Sequence, residues 1–359
     1  MFNFQSIHRG IFAGICAWVV LASACVQELT NTQELQETLV ISGQLSNSPK
    51  FRNVKVLRVN NRLGTGDSLD AVVSLYKNGQ FLTDLNKVAP GTYRLPVDVE
   101  IEESSSYYTE IQLEGKLYRS QEQTVAQIAK TDSISFRILT SDQFTQERGF
   151  AEPVVLQGIE FSAHLDLQDL ADGEAYYRWV VNEVYSFVES NKTDTCYIRE
   201  AIEENTFSLI SNTDPDILFG ELKAPILLQG LDKSFAYKHY INAYLHSIDK
   251  STYEYYSKVK NLTSLDGTIY DQIPGPIEGN VRNQDDPNVH PSGFVEFFLA
   301  DTFYYGLNRS NIPANVPEQC WDIPGGGPCP PDPRTPCKCL DCDTVCGFET
   351  LIPPDYWVD

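Results

Sequence analysis

Residues 159–168 read Ile159-Glu160-Phe161-Ser162-Ala163-His164-Leu165-Asp166-Leu167-Gln168. Apolar and polar side chains alternate strictly along this stretch, which is the period of a β-strand that buries one face and exposes the other. Asp172-Gly173 then predicts a turn into a second strand over Tyr176–Val188, and Lys238–His246 repeats the alternation. These strands predict a β-rich domain over residues 150–312.

One segment of this domain has the period of an α-helix rather than that of a strand. Within Asp249–Leu265 the apolar side chains recur at spacings of three, which predicts a helix with one apolar face. They are Tyr253, Tyr256, Val259 and Leu262. Asp249 or Ser251 can cap the start of this helix, since either side chain accepts hydrogen bonds from the free N–H groups there. The domain is therefore expected to be β-rich with at least one packed helix.

The region before this domain carries short alternating runs separated by turn residues. The runs are Leu39–Leu45, Val54–Val56, Val73–Lys77, Tyr107–Leu113 and Lys116–Ser120. Asn78-Gly79 readily adopts the positive φ angles of a tight type I′ hairpin, and Glu114-Gly115 marks another turn. Strands at this spacing predict an antiparallel β-sandwich of immunoglobulin-like or transthyretin-like type over residues 39–145. The fold class is therefore expected to be mainly β.

The first 24 residues predict export from the cytoplasm. Met1–Gly10 carries one cation, Arg9, and Ile11–Ala22 is an apolar core too short to span a bilayer. Leu21-Ala22-Ser23-Ala24-Cys25 resembles a bacterial lipobox, which predicts a lipoprotein signal peptide over residues 1–24 and a lipid on Cys25. The same residues also fit an ordinary cleavage site, which would leave a secreted protein without an anchor. Residues 25–38 are polar and are expected to form a tether.

The charge of the chain limits its partners. The formal net charge is −22, and such acidity argues against nucleic acid because no basic surface is available to displace phosphate counterions. The dispersed carboxylates are interpreted as a solvated surface. No later segment has an apolar run of the length that a membrane span requires. Membrane attachment is therefore expected through the lipid alone.

The last segment of the chain, residues 313–359, differs in composition from the rest. It holds about half of the 20 prolines, a run of three glycines at Gly325–Gly327, and six cysteines. Proline and glycine at this density do not sustain a helix or a central strand. We therefore expect a loop-like tail that covalent bonds hold together.

The cysteines of the mature chain allow two kinds of bond. The first is metal coordination, since the spacing of Cys337, Cys339, Cys342 and Cys346 is compatible with a zinc site or an iron–sulfur cluster. The second is the disulfide, which clustered cysteines in an exported protein form more often. A bridge from Cys196 to the tail, for example to Cys320, would tie the tail to the second domain. Because seven candidate cysteines is an odd number, one of them is unpaired or is paired outside the chain. The disulfide candidates are Cys196, Cys320, Cys329, Cys337, Cys339, Cys342 and Cys346.

Several short motifs follow one another along nearly the whole mature chain. They are the lipobox, Leu39-Val40-Ile41-Ser42-Gly43, Ala71-Val72-Val73-Ser74-Leu75, Gly91-Thr92-Tyr93, Tyr108–Ser120, Tyr253–Tyr256, Gly279-Asn280-Val281 and Pro354-Asp355-Tyr356-Trp357. Their order resembles that of the DUF4249 lipoproteins of Bacteroidota, a family named for its unknown function. The resemblance implies an outer-membrane lipoprotein, often encoded beside a TonB-dependent receptor, and it implies no established activity. Which face of the outer membrane carries the protein stays open.

The common motifs for catalysis are missing from the sequence. It contains no G-x-S-x-G nucleophile elbow, no H-E-x-x-H pair and no glycine-rich phosphate loop, so we expect no enzyme, no catalytic residue and no metal or other cofactor. Gln284–His290 combines carboxylates with an imidazole, but its Asp-Pro-Asn run is also ordinary turn chemistry, which the sequence favours. His239 and His246 have opposite strand parity and are not expected to share a metal.

Tyrosines concentrate in the second domain and supply its candidate binding surface. Tyr240 and Tyr244 alternate with the aliphatic side chains of their strand, so we expect them to be exposed and to bind a ligand. The sequence thus predicts a non-enzymatic, lipid-anchored outer-membrane protein, an accessory or ligand-capturing partner of a TonB-dependent transporter. The alternative is a free-standing structural or adhesive β-sandwich module on the cell surface. A hydrolase is a remote third alternative. The two catalytic carboxylates of a glycosidase come together only in the folded protein, so their spacing in the sequence does not reveal them.

Overall fold

A computed structural model describes residues 37–60, 66–147, 150–166, 173–188, 195–199, 207–213, 221–263, 277–286, 288–316 and 348–358. Within these ranges the chain is mainly β, as the alternation predicts, with twenty strands in three sheets and one α-helix. The predicted signal peptide, Cys25, most of the tether and all six tail cysteines lie outside the described residues. No helix in the described ranges has both the length and the apolar character needed to cross a membrane.

The strands and the helix follow one another in this order. They are β1 (Glu37–Ser46), β2 (Arg52–Asn60), β3 (Gly66–Ser68), β4 (Val72–Lys77), β5 (Gln80–Asp84), β6 (Asn86–Ala89), β7 (Thr92–Arg94), β8 (Ser106–Leu113), β9 (Lys116–Ser120), β10 (Gln123–Thr124), β11 (Thr131–Glu147), β12 (Phe150–Asp166), β13 (Tyr176–Val188), β14 (Thr195–Arg199), β15 (Phe207–Ser211), β16 (Glu221–Gly230), β17 (Lys238–Ile248), α1 (Lys250–Thr263), β18 (Val281–Asn283), β19 (Val295–Asn308) and β20 (Phe348–Thr350). Lys233–Phe235 and Arg309–Asn311 form short 3₁₀ helices.

The largest sheet contains strands from both predicted domains. Its eleven strands run in the order β20-β14-β13-β17-β19-β1-β2-β7-β6, with β15 on β13 and β3 on β2. The junction is a parallel pairing of β1 with β19, in which Gly43 lies opposite Val295. Main-chain hydrogen bonds therefore join the predicted sandwich to the predicted second domain.

Two smaller sheets cover one face of the large sheet, called the inner face here. A six-stranded sheet, β18-β9-β8-β4-β5 with β10 on β8, packs around Ile41, Val54 and Phe297. A three-stranded sheet, β11-β12-β16, packs around Trp179 and Leu245. Residues 159–166 of the alternating stretch fall on β12, where Ile159, Phe161, Ala163 and Leu165 are all fully buried. Burial of each larger apolar side chain contributes about 1.5–3 kcal/mol, so this pattern decides which face of β12 packs on the large sheet.

Local signals in the sequence correctly predict several turns and boundaries. Asn78 and Gly79 have φ angles of 49° and 77° and connect β4 to β5, which confirms the predicted hairpin. The predicted strands Tyr176–Val188 and Lys116–Ser120 match β13 and β9. The predicted helix is α1, and Asp249 caps it because its Oδ1 accepts a hydrogen bond from the Thr252 N–H at 2.9 Å.

Candidate functional site

The face of the large sheet opposite the two smaller sheets, called the outer face here, carries α1 and a group of buried polar side chains. Arg178 projects to this face because its neighbours in β13, Tyr177 and Trp179, project to the inner face. Register then places His246 opposite Arg178 and Gln44 opposite Glu296. Strands from distant parts of the sequence thus contribute to one surface.

Four of these side chains meet below α1. Arg178 Nη2 lies 2.8 Å from both Glu296 Oε1 and His246 Nδ1, and Gln44 Nε2 donates to the same carboxylate oxygen at 2.9 Å. Tyr256 of α1 completes the group, since its hydroxyl donates to Glu296 Oε1 at 2.9 Å and its ring lies 4.0 Å from the Arg178 guanidinium carbon. We call these five residues the buried polar cluster.

Three residues of the buried polar cluster are almost fully buried, and their polar atoms are incompletely hydrogen-bonded. Arg178 is 1% exposed, and His246 and Glu296 are 0% exposed. Among the residues that the structure describes, Arg178 Nε and Nη1, Glu296 Oε2 and His246 Nε2 have no hydrogen-bond partner. A buried polar group without a partner costs about 1–3 kcal/mol, and removal of two charges from water costs several more. The arrangement therefore lowers stability, and such arrangements concentrate at functional sites.

The charge state of the cluster follows from its surroundings. Burial, together with the positive charges of Arg178 and Lys50, lowers the pKa of His246 well below its usual value. The imidazole is therefore neutral at pH 7. Because Arg178 can only donate, His246 Nδ1 accepts and the ring proton resides on Nε2. Burial also raises the pKa of Tyr256, so its hydroxyl stays protonated and donates to Glu296.

A cavity of about 440 Å³ lies between α1, β1 and β2, with Arg178 among the residues that line it. Its volume is within the range of small-molecule sites, roughly 300–1,000 Å³. The charged residues that line it are all cations: Lys50, Arg52, Lys55 and Arg178. Its aromatic walls come from Phe51, Phe207, Tyr255, Tyr256 and Phe294. The lining that the structure describes contains no carboxylate, although the whole chain carries a net charge of −22.

The lining cations differ in what they contact. Arg52 is structural, since its Nη2 donates to the carbonyl oxygens of Pro96 and Val99 at 2.6 and 2.5 Å. Lys50 places its ammonium 4.0 Å from the centroid of the Tyr244 ring and 2.8 Å from the hydroxyl oxygen of the same residue. Desolvation, with the positive charge of Arg199, lowers the pKa of Lys50 to about 8. Lys50 is thus mostly protonated at pH 7 and loses its charge in mildly alkaline solution.

The predicted binding tyrosines lie on the outer face but are not exposed. Tyr240 and Tyr244 are 5% and 7% exposed, so the expectation of free tyrosine rings is wrong. Trp357 covers Tyr240 with a ring-centroid distance of 4.7 Å, and Phe51 packs edge-on against Tyr244 at 5.4 Å. Both covering residues are far away in sequence, and strand alternation cannot reveal them.

The covering residues of Tyr240 belong to Leu351–Val358, called the C-terminal segment here. Tyr356 stacks on Tyr304 with a centroid distance of 4.0 Å, and its hydroxyl accepts a hydrogen bond from Asn242 Nδ2 at 2.7 Å. The Val358 N–H donates to the Tyr240 hydroxyl at 3.0 Å. The segment leaves a second, shallower cavity of about 660 Å³ beside Arg199. The outer face is thus closed by the chain itself at its Asn242 end.

The remaining predicted site residues have the following positions. Cys196 is fully buried in β14, while the lipidation candidate Cys25 and the tail cysteines lie outside the described residues. His239 stacks on Phe235 of the inner core, opposite to His246. Asp286 Oδ1 accepts from the Asn288 N–H at 3.1 Å, which is the predicted local bonding of an Asp side chain to the backbone. In the described part of the chain, no three His, Cys, Asp or Glu side chains are grouped to hold a metal ion.

Sequence reasoning missed the buried polar cluster, although a signal for it exists. Arg178 stands in the aromatic run Tyr176–Val180, and Glu296 stands between Val295 and Phe297 in a strand that is otherwise apolar at its start. A single charge inside a run that is buried on both faces requires a partner, because an unpaired buried charge is expensive. Arg178 and Glu296 carry opposite charges in such runs, so the sequence could have predicted that they form a buried ion pair.

Comparison with known proteins identifies one family. The family model described as a domain of unknown function, DUF4249, matches residues 27–302. The match therefore includes every residue of the buried polar cluster and ends before the C-terminal segment. No curated protein and no solved structure matches the chain.

Proposed function

Since the chain belongs to the DUF4249 family, whose function is unknown, we propose a function from the site itself. The protein is a non-enzymatic binding protein of the bacterial outer membrane that captures a small ligand in the cavity below α1. The carrying observation is that this cavity is lined by Arg178, whose Nε and Nη1 have no acceptor among the described residues. A buried donor without an acceptor is stabilised most when a ligand supplies the missing acceptor.

The chemistry of the buried polar cluster favours binding over catalysis. A general base must come within hydrogen-bond reach of the proton that it abstracts, whereas Glu296 is 0% exposed, does not line the cavity, and already accepts three hydrogen bonds at Oε1. The pKa of His246 lies well below neutrality, so the imidazole is a poor proton carrier at pH 7. The groups are held in place and neutralised, which suits recognition.

The cellular setting of this proposal comes from the sequence. We place the protein on the outer membrane of a member of the Bacteroidota, with a lipid on Cys25 and the tail braced by disulfides. There it acts as an accessory, ligand-capturing partner of a TonB-dependent transporter. A lipid anchor confines the protein to the membrane plane, where a modest intrinsic affinity for another membrane protein is sufficient. The support for the transporter link is the resemblance of the motifs to this family.

Two measurements test the proposal. Native mass spectrometry of the full chain, purified from its own envelope in detergent, should detect a bound small molecule. Val259→Trp, which fills the cavity from α1, should abolish it, whereas Lys258→Trp on the exposed side of the same helix should not. Equal occupancy in both variants would overturn capture in this cavity.

The partner is tested by affinity purification of the tagged protein from detergent-solubilised outer membranes. Recovery of a TonB-dependent barrel in near-stoichiometric amount supports the transporter role. A clean preparation without a barrel contradicts it and favours the free-standing surface module. Cys25→Ala should release the protein from membranes, and its retention there would show that the lipid anchor is wrong.

A further inference from the structure

We propose that the cavity below α1 selects an organic anion, a carboxylate or phosphate group attached to an aromatic or similarly flat apolar body. This inference rests on the proposed capture of a ligand and adds the chemical class. Four observations carry it: the sign of the lining charges, the donors of Arg178, the position of Glu296 outside the lining and the aromatic walls.

The sign of the charges decides between anionic and cationic ligands. Lys50, Lys55, Arg52 and Arg178 line the cavity, and no carboxylate is present in the lining that the structure describes. A cleft with charge of one sign and low-dielectric walls concentrates the potential and attracts the opposite charge. A cationic ligand would be repelled here, even though the molecule as a whole is acidic.

The donors of Arg178 supply the anchoring point at the cavity floor. Its Nη2 is occupied by Glu296 and His246, while Nε and Nη1 lack acceptors in the described part of the protein. Because Arg178 is 1% exposed and lines the cavity, a ligand can approach its guanidinium only from the cavity side. An ionised acceptor in such a desolvated place forms a charge-assisted bond, which is about twice as strong as a neutral one.

Glu296 does not compete for this role. Its Oε1 accepts from Gln44, Arg178 and Tyr256, and the residue is fully buried and absent from the cavity lining. The carboxylate offsets the charge of Arg178 from below and keeps the guanidinium oriented. Lys50 and Lys55 are the other two lining cations besides Arg52.

The aromatic walls determine the body of the ligand. Tyr255 stacks on Phe294 with a centroid distance of 4.4 Å, and Phe207 meets Tyr256 edge-on at 5.2 Å. Both pairs line the cavity. Flat apolar groups pack well against such surfaces, in offset-stacked or edge-on geometry. An inorganic anion alone would leave these walls unused.

The test compares benzoate with its neutral near-isostere benzamide, and phenyl phosphate with inorganic phosphate, which lacks the ring. Binding of benzoate, phenyl phosphate, benzamide and inorganic phosphate to the full chain is measured by calorimetry at pH 7 and constant ionic strength. Benzoate or phenyl phosphate should bind at least about tenfold more tightly than benzamide, consistent with a charge-assisted bond. Whichever of the two binds more tightly identifies the head group as carboxylate or phosphate.

Variants locate the effect without disturbing the fold. Lys50→Gln and Lys55→Gln each remove one positive charge from the cavity lining, and each should weaken the anionic probes about threefold to tenfold, while benzamide binding is unchanged. Lys116→Gln removes an exposed charge from the β8–β9 turn, away from the cavity lining, and should change nothing.

The outcomes separate this inference from the proposed function. If benzamide binds as tightly as benzoate and Val259→Trp abolishes both, the cavity captures ligands but has no preference for anions, and only this inference fails. If no probe binds and no molecule copurifies, both fail. Inorganic phosphate bound as tightly as phenyl phosphate would refute the aromatic body.

Discussion

The outer face of the large sheet has two ends that differ in how they are completed. At the Asn242 end the chain folds back on itself, and Tyr356 and Trp357 pack on Tyr304 and Tyr240. At the Arg178 end, α1 stands over the sheet and leaves a cavity of about 440 Å³ above buried charges. The same strands, β17 and β19, run through both ends. The contrast shows that one sheet face is covered by aromatic side chains where its own chain closes it, and that it keeps a cavity lined by cations where the chain does not close it.

The first prediction concerns the Arg178 end of the outer face, called the open end because the cavity lies there. Glu296→Ala removes the acceptor of three hydrogen bonds and leaves Arg178 as a buried, unpaired cation. We expect a loss of about 3–5 kcal/mol in the free energy of unfolding, measured by urea denaturation. Asp70→Ala, which removes an exposed ion pair with Lys87, should cost less than about 1 kcal/mol.

A double variant shows whether the loss comes from the unpaired charge. Arg178→Met combined with Glu296→Leu replaces the buried pair by apolar side chains, and should recover more than half of the stability lost in Glu296→Ala. Such a protein should also lose the anionic probe. If the single and double variants are equally unstable, packing rather than charge explains the cost.

The second prediction concerns the Asn242 end of the outer face, called the closed end because the C-terminal segment covers it. Trp357→Ala removes a ring that contacts Tyr240 and Tyr197 with centroid distances of 4.7 and 4.9 Å. We expect a loss of about 1–3 kcal/mol in unfolding free energy, because the ring is half-buried. Val358→Ala, at an exposed position, is the matched control and should have little effect.

Binding of the anionic probe tests whether the two ends of the outer face are independent of each other. Trp357→Ala should leave the affinity for benzoate or phenyl phosphate unchanged, since the C-terminal segment does not line the cavity. Tyr356→Phe, which loses only the hydrogen bond from Asn242, should cost about 0.5–1.5 kcal/mol. A drop in probe affinity in either variant would show that the ends are coupled.

The smallest expected effect is a dependence of the open end on pH. The pKa of Lys50 is lowered to about 8 by desolvation and by Arg199, so its positive charge is present at pH 7 and mostly absent at pH 9. The groups that face Lys50 keep their state over this range: His246 is neutral because its pKa is well below 6.5, and burial raises the pKa of Tyr244. Affinity for the anionic probe should therefore fall severalfold between pH 7 and pH 9.

Lys50→Gln provides the control for the pH effect. In this variant the affinity should already be low at pH 7 and should change little up to pH 9. Titration calorimetry at matched ionic strength measures both curves. A fall of the same size in the variant would assign the pH dependence to another group.

Local sequence signals predicted the elements well because each depends on neighbouring residues. The alternation of residues 159–168 decides which side of β12 is buried, and Asn78-Gly79 decides its hairpin through positive φ angles. Asp249 stands directly before the helix that it caps. None of these features needs information from a distant segment.

The site could not be predicted in the same way, because it is made of long-range contacts. Gln44, Arg178, His246 and Glu296 lie on four strands and meet only when β1 pairs with β19 and β13 with β17. Tyr240 has the alternation of an exposed residue, yet it is covered by Trp357, more than a hundred positions later in the chain. Alternation along a strand predicts the direction in which a side chain points, but it does not predict which distant segment packs against that side chain.

The amino-acid sequence by itself determined that this protein is mainly β, where eight of the twenty described strands and the helix lie, and which residues form several of the turns. Tertiary structure alone decided that one sheet would join the two predicted domains, that a buried arginine would line a cationic cavity, and that the tyrosines expected at the surface would be covered. The physical reason is range. Propensity, alternation and capping act over a few residues, whereas burial and charge pairing depend on which distant segments become neighbours.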